Sequence, residues 1–171
     1  MKRHVILVGL PGSGKTTVGT IVSQALGAAF VDIDAAIVRR EGRPVTLIFA
    51  ERGEAAFRDM ERNEVEATLA REPAVIAPGG GWAMQAGVLS RARAAALIVY
   101  LRTKPDTATR RVGTGNRPTL MGGDPLDLMR DLLRDREVAY LEADATVDTD
   151  GRSAADVAAE IARLARAQAG W

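Results

Sequence analysis

At 171 residues the chain has the length of one domain with a single substantial core, and its 47% hydrophobic and 26% charged residues suit an ordinary globular protein. Nothing in a formal net charge of +1 suggests a surface built to coat nucleic acid or an acidic tail. The lack of cysteine excludes disulfides, zinc–thiolate sites and Cys nucleophiles, and a single histidine argues against a His-centred mechanism.

His4 to Val8 is a short apolar run rich in β-branched residues, the signature of a buried strand. Gly9-Leu10-Pro11-Gly12-Ser13-Gly14-Lys15-Thr16 follows at once and matches G-x-x-x-x-G-K-[ST], the phosphate-binding P-loop. Thr17 to Leu26 then carries Val18, Ile21, Val22, Ala25 and Leu26 at helical spacing. The loop therefore joins a strand to a helix N-terminus, where unpaired backbone N–H groups and the positive dipole end favour a triphosphate. Gly12 and Gly14 let the backbone approach phosphate oxygens. Lys15 supplies a mobile positive charge, and the Thr16 hydroxyl can hold Mg²⁺.

Ala29 to Ile33 reads as a second strand ending in acids, with Asp32 and Asp34 on one side of an extended segment. Ala35 to Arg40 reads as a short helix, Pro44 to Phe49 opens another, and Glu54 to Arg71 is a longer one that carries Arg58. Ala74 to Ala77 is a third strand, ended by Pro78 and the run Gly79-Gly80-Gly81. Ala95 to Leu101 is a fourth strand and Pro105 to Val112 a helix. Residues 113–124 are rich in Gly and Pro, include Asn116-Arg117-Pro118, and predict a mobile loop. Pro125 to Ala139 is helical, with Arg136 and Tyr140 one turn apart; Thr146 to Thr149 is a fifth strand and Ala154 to Ala169 a final helix. Strands that alternate with helices predict an α/β fold with a parallel sheet covered on both faces. Ligands bind such sheets beyond the C-terminal strand ends, so the P-loop, Asp32, Asp34 and the triple glycine should converge on one cleft.

In their order and spacing, the P-loop, D-x-D (Asp32 to Asp34), F-R-x-x-E (Phe57 to Glu61), G-G-G (Gly79 to Gly81), R-P (Arg117-Pro118) and R-x-x-x-Y (Arg136 to Tyr140) resemble shikimate kinase, in the nucleoside-monophosphate-kinase-like branch of P-loop proteins. The resemblance covers nearly the whole chain. It implies one P-loop kinase domain over residues 1–171, a three-layer α/β/α fold whose five-stranded parallel sheet has the order 2-3-1-4-5. A small helical substrate-binding region would span 32–61 and a lid 113–124. The implied activity is phosphorylation of the 3-hydroxyl of shikimate by ATP with Mg²⁺, a step of chorismate and aromatic amino acid biosynthesis.

Roles carry over where residues match. Lys15, Asp34 and Arg117 would be catalytic: Asp34 would orient or deprotonate the attacking hydroxyl, and Arg117 would swing in with the lid. Gly12, Ser13, Gly14, Lys15, Thr16, Thr17, Arg110, Arg117 and Arg152 would bind ATP. Arg58 and Arg136 would grip the acceptor carboxylate as guanidinium forks, with Asp34, Gly79, Gly80 and Gly81 completing that site. Thr16 and Asp32 would place Mg²⁺. Trp82 stands where relatives carry a small residue; it either packs behind the glycine loop or reshapes the acceptor pocket. Thr119 stands where they carry a leucine. The expected partners are ATP and a small hydroxylated carboxylic acid, with no nucleic acid, no membrane, and a monomer. A cytoplasmic location is expected because the N-terminal apolar run is too short for a signal or membrane span. Two other readings are a kinase for another hydroxylated acid or polyol such as gluconate, and a nucleotide-binding module with no acceptor.

Overall fold

β1 (His4–Val8) is buried along its whole length, and its side chains alternate between two cores. In this computed structural model, which describes residues 1–113 and 122–171, β1 is the central strand of a five-stranded parallel sheet. It pairs with β3 (Ala74–Ala77) on one side and β4 (Ala96–Arg102) on the other. β2 (Ala29–Asp32) pairs with β3, and β5 (Ala145–Asp148) with β4, so the order is β2-β3-β1-β4-β5, as the resemblance implies. The expected Arg117 and most of the expected lid lie outside the described residues.

The period of two along the strands separates the layers. Val5 and Leu7, with Val75, Leu97 and Val99, pack against Val18 and Val22 of α1 (Lys15–Leu26) and Val157 and Ile161 of α7 (Ala154–Gln168). Ile6 and Val8, with Ile76, Ile98 and Tyr100, face Ile37 of α2 (Ile33–Glu41), Phe57 and Val65 of α3 (Val45–Leu69) and Met129 of α6 (Pro125–Tyr140). Each fully buried aliphatic side chain contributes roughly 1.5–3 kcal/mol, so these two interdigitated faces hold the sheet between its helices.

Local chemistry sets where elements stop. Gly53, at φ 82° and ψ 169°, breaks α3 into two helical stretches, which is why the sequence reads there as two helices. Asp124 caps α6 by accepting from the Leu126 and Asp127 amides, and Pro125 opens that helix. A 3₁₀ turn (Trp82–Met84) and the short α4 (Val88–Arg93) had no periodic signal, being shorter than two turns. α5 (Pro105–Val112) follows β4 as expected. One sequence expectation is corrected: the extended segment ends at Asp32, and Asp34 lies in the first turn of α2. Asp32 instead caps that helix, its Oδ1 accepting from the Ala35 amide at 3.1 Å.

Candidate active site

The P-loop leaves β1 at the centre of the sheet and enters α1 through Gly14, whose left-handed conformation (φ 97°) makes it the N-cap without a side chain to satisfy the helix amides. Backbone amides at such a helix N-terminus suit an anion. Lys15 curls over the loop, its Nζ donating to Gly9 O at 2.8 Å and Leu10 O at 2.9 Å. Thr16 Oγ1 donates to Asp32 Oδ2 at 3.0 Å, which brings the two expected metal-site residues together from α1 and the end of β2. A hydroxyl and a carboxylate oxygen side by side next to a phosphate loop are the hard oxygen donors that suit Mg²⁺.

Beyond the C-terminal ends of β1, β2 and β3 lies a cleft of about 340 Å³, lined by Lys15, Thr16, Asp32, Asp34, Arg58, Gly79, Gly80, Gly81 and Arg136 among others. Every expected acceptor and metal residue therefore faces one space. The triple glycine has a steric reason. A Cβ on Gly79 would meet Glu61 Oε1 at 2.5 Å and Asp34 Oδ1 at 3.2 Å. One on Gly80 would meet Arg136 Nη1 at 2.8 Å, and one on Gly81 would meet Arg58 Cζ at 2.5 Å. Each glycine thus leaves room for a charged side chain of the cleft.

Arg58 is anchored on one side, where Nη1 donates to Glu61 Oε2 at 3.0 Å; Nη2 reaches Glu54 Oε1 at 3.3 Å, and the Phe57 and Phe49 rings lie 5.6 and 5.8 Å from its Cζ. Arg136 is buried in α6. Its sequence neighbour Asp135 pairs with Arg134 instead, and no ion pair holds Arg136 among the described residues. Tyr140, one turn on, donates its hydroxyl to Gly80 O at 2.5 Å and stacks on Tyr100 with ring centroids 5.1 Å apart. α6 is thereby tied to the loop that seats its arginine.

Glu61 closes the F-R-x-x-E motif, and the sequence alone assigns it no role. It is fully buried, and burial pushes its carboxyl up to about 7 against the opposing pull of Arg58; the Asp34 charge raises it further. The available signal was its i, i+3 spacing from Arg58 on one helix.

A second cleft, of about 260 Å³, borders the P-loop at Ser13, Gly14 and Thr17 and is closed by Arg111, Thr149 and Arg152. Arg152 is held by Glu160 at 2.7 Å and by Asp148 O at 3.0 Å. Arg110 is exposed and turns to Thr107 Oγ1 at 3.3 Å, while its neighbour Arg111 lines the cleft. Trp82 is 2% exposed and belongs to the core; with Val65, Leu69 and Val88 it lines a groove behind the glycine loop, not the acceptor cleft.

Comparison with known proteins points to one family. A family model described as shikimate kinase matches residues 11–166. The shikimate kinase of Moorella thermoacetica is 41% identical over 168 residues, 98% of this chain and 96% of the relative; that of Salinispora arenicola is 42% identical over 164 residues, 93% and 95%. The shikimate kinase from Acinetobacter baumannii, solved in complex with shikimate, superposes with a TM-score of 0.93 at 34% identity, covering 98% of this chain and 94% of that one. With a family model matching residues 11–166 and relatives alike over almost its full length, the chain belongs to the shikimate kinase family.

Proposed function

We propose that the protein transfers the γ-phosphoryl group of ATP to the 3-hydroxyl of shikimate. The observation that carries this reading is the pair of arginines, Arg58 and Arg136, seated on Gly81 and Gly80 in the cleft that also holds Asp34 and Lys15. Two guanidinium forks suit a carboxylate, which a polyol lacks and a nucleotide switch does not need.

Phosphoryl transfer leaves the protein mainly positioning and charge stabilisation. The P-loop amides and Lys15 cradle the phosphates, and Lys15 exchanges its contacts with Gly9 O and Leu10 O for phosphate oxygens. Asp34 orients the acceptor hydroxyl and receives its proton, while Arg58 and Arg136 fix the other end of the acceptor by its carboxylate. Thr16 and Asp32 would hold Mg²⁺, which would supply positive charge beside the phosphates. The cleft bordered by Thr17, Arg111 and Arg152 takes the nucleoside end of ATP. One chain lines both clefts, so the proposed transfer needs no residue from a second subunit, and the protein is proposed to act as a monomer. A cytoplasmic location fits ATP as co-substrate, and among the described residues no helix is long and apolar enough to cross a membrane.

ADP release measured with shikimate, gluconate, quinate or no acceptor tests the reading. Turnover with shikimate and a near-blank rate with gluconate or no acceptor is expected. Faster turnover with gluconate, or equal ADP release without any acceptor, overturns it.

A further inference from the structure

Gln85 closes the 3₁₀ turn that follows the triple glycine, its backbone N–H donating to Trp82 O at 3.1 Å. Its side chain reaches α3. There Nε2 donates to Glu61 Oε2 at 3.2 Å, the same oxygen that Arg58 Nη1 holds at 3.0 Å. The other end of the amide, Oε1, accepts from Arg62 Nη1 at 3.3 Å, and Arg62 is steadied by Asp59 at 2.7 Å. The amide orientation is thus set from both ends: oxygen toward a guanidinium, nitrogen toward a carboxylate. Arg62 lies one turn after Arg58 on the same helix, so Arg62, Gln85, Glu61 and Arg58 form a continuous polar chain that ends in the acceptor cleft. Gln85 itself does not line that cleft and belongs to none of the motifs.

We infer that Gln85 is a positioning residue for the acceptor clamp: its amide, oriented by Arg62, fixes the Glu61 carboxylate to which the Arg58 guanidinium is anchored. This rests on the reading of Arg58 as a carboxylate clamp. The physical need is clear from burial. Glu61 is fully enclosed, and a buried carboxylate oxygen is costly unless donors satisfy it. Polar groups surround it: Arg58 on α3, Asp34 on α2 and the Tyr140 hydroxyl on α6. Arg58 also has a competing partner, the exposed Glu54, 3.3 Å from Nη2. With the Gln85 donor gone, Glu61 grips Arg58 less firmly and Arg58 moves toward Glu54, off its seat on Gly81. Acceptor binding suffers, while the phosphate machinery at Lys15 and Thr16 is untouched.

Gln85→Leu keeps the size of the side chain and removes both polar ends. Gln85 is half-buried on a turn, so the fold tolerates the change. The acceptor KM should rise roughly three- to tenfold, the worth of about one net hydrogen bond, with kcat and the ATP KM unchanged. Arg62→Ala should act in the same direction more weakly, and should add nothing in the Gln85→Leu background, because Arg62 acts only through Gln85. Arg58→Ala is measured beside them. If Arg58→Ala leaves the acceptor KM unmoved, the clamp reading itself fails. If Arg58→Ala raises it but Gln85→Leu does not, or if Gln85→Leu lowers kcat and raises both KM values, the positioning role is wrong while the clamp stands. Full additivity of Arg62→Ala and Gln85→Leu also overturns the relay.

Discussion

The guanidinium of Arg58 rests against the bare Cα of Gly81, where a Cβ would fall 2.5 Å from both Cζ and Nη2. Gly81 is in an ordinary right-handed conformation, with φ −88° and ψ −7°, so the backbone itself would accept alanine. Gly81→Ala should therefore act through Arg58 alone. We expect the acceptor KM to rise at least about tenfold, as for loss of one charge-assisted contact, with the ATP KM unchanged. In an Arg58→Ala background the same substitution should cost almost nothing. A full additive effect in the double variant, read from steady-state kinetics, would show that Gly81 acts by another route.

Arg136 gives the complementary test, because it is buried and free of ion pairs among the described residues. Arg136→Ala should weaken acceptor binding by roughly 2–5 kcal/mol, and Arg136→Lys should recover little of it, since an ammonium cannot pair bidentately. The amide of shikimate, which lacks the carboxylate charge, should bind wild type and Arg136→Ala about equally. A large difference between the two proteins for that analogue would contradict the carboxylate assignment.

Asp32 has two separable tasks: Oδ1 caps α2 and Oδ2 accepts from Thr16. Asparagine caps a helix about as well as aspartate but lacks the charge. Asp32→Asn should leave thermal stability near that of wild type while raising the Mg²⁺ concentration for half-maximal rate on the order of tenfold or more. Unchanged Mg²⁺ dependence in a folded Asp32→Asn protein would remove Asp32 from the metal site.

Glu61 predicts a pH dependence of stability. Its carboxyl titrates near 7 in the fold against an ordinary value of 4.5. A group whose pKa rises on folding favours the protonated native form. Its contribution is full below 4.5 and is lost as pH climbs through 7, a change of roughly 3 kcal/mol. Glu61→Gln keeps the side-chain size and does not titrate. Its unfolding free energy relative to wild type should grow between pH 4.5 and 7 and then level off, as followed by urea melts. His4, whose Nδ1 accepts from the Ala74 amide and whose pKa burial lowers, titrates alike in both proteins and cancels. Parallel stability curves for the two proteins would place the Glu61 titration elsewhere.

The sequence by itself determined the parts of this protein that depend on short-range pattern. A β-branched run, eight P-loop residues and a helical repeat lie in one stretch, so Gly14, Lys15 and Thr16 could be assigned from local chemistry alone. The strands were legible because apolar runs buried on both faces alternate with helices, and the strand order followed from the family resemblance. Only the tertiary structure decided how charged residues far apart in the chain share space. Nothing in a G-G-G run says which side chain each glycine seats, because Arg58 and Arg136 come from α3 and α6, on either side of it in sequence. Asp34 reads as extended from the strand before it, yet the Asp32 cap turns the chain into a helix at that point. Trp82 could face the acceptor or the core from its position alone, and packing against Val65, Leu69 and Val88 placed it in the core. Glu61 and Gln85 carry no local mark of their importance: burial raises the carboxyl of Glu61, and burial is a property of the folded chain, set by contacts between segments that the sequence does not place side by side.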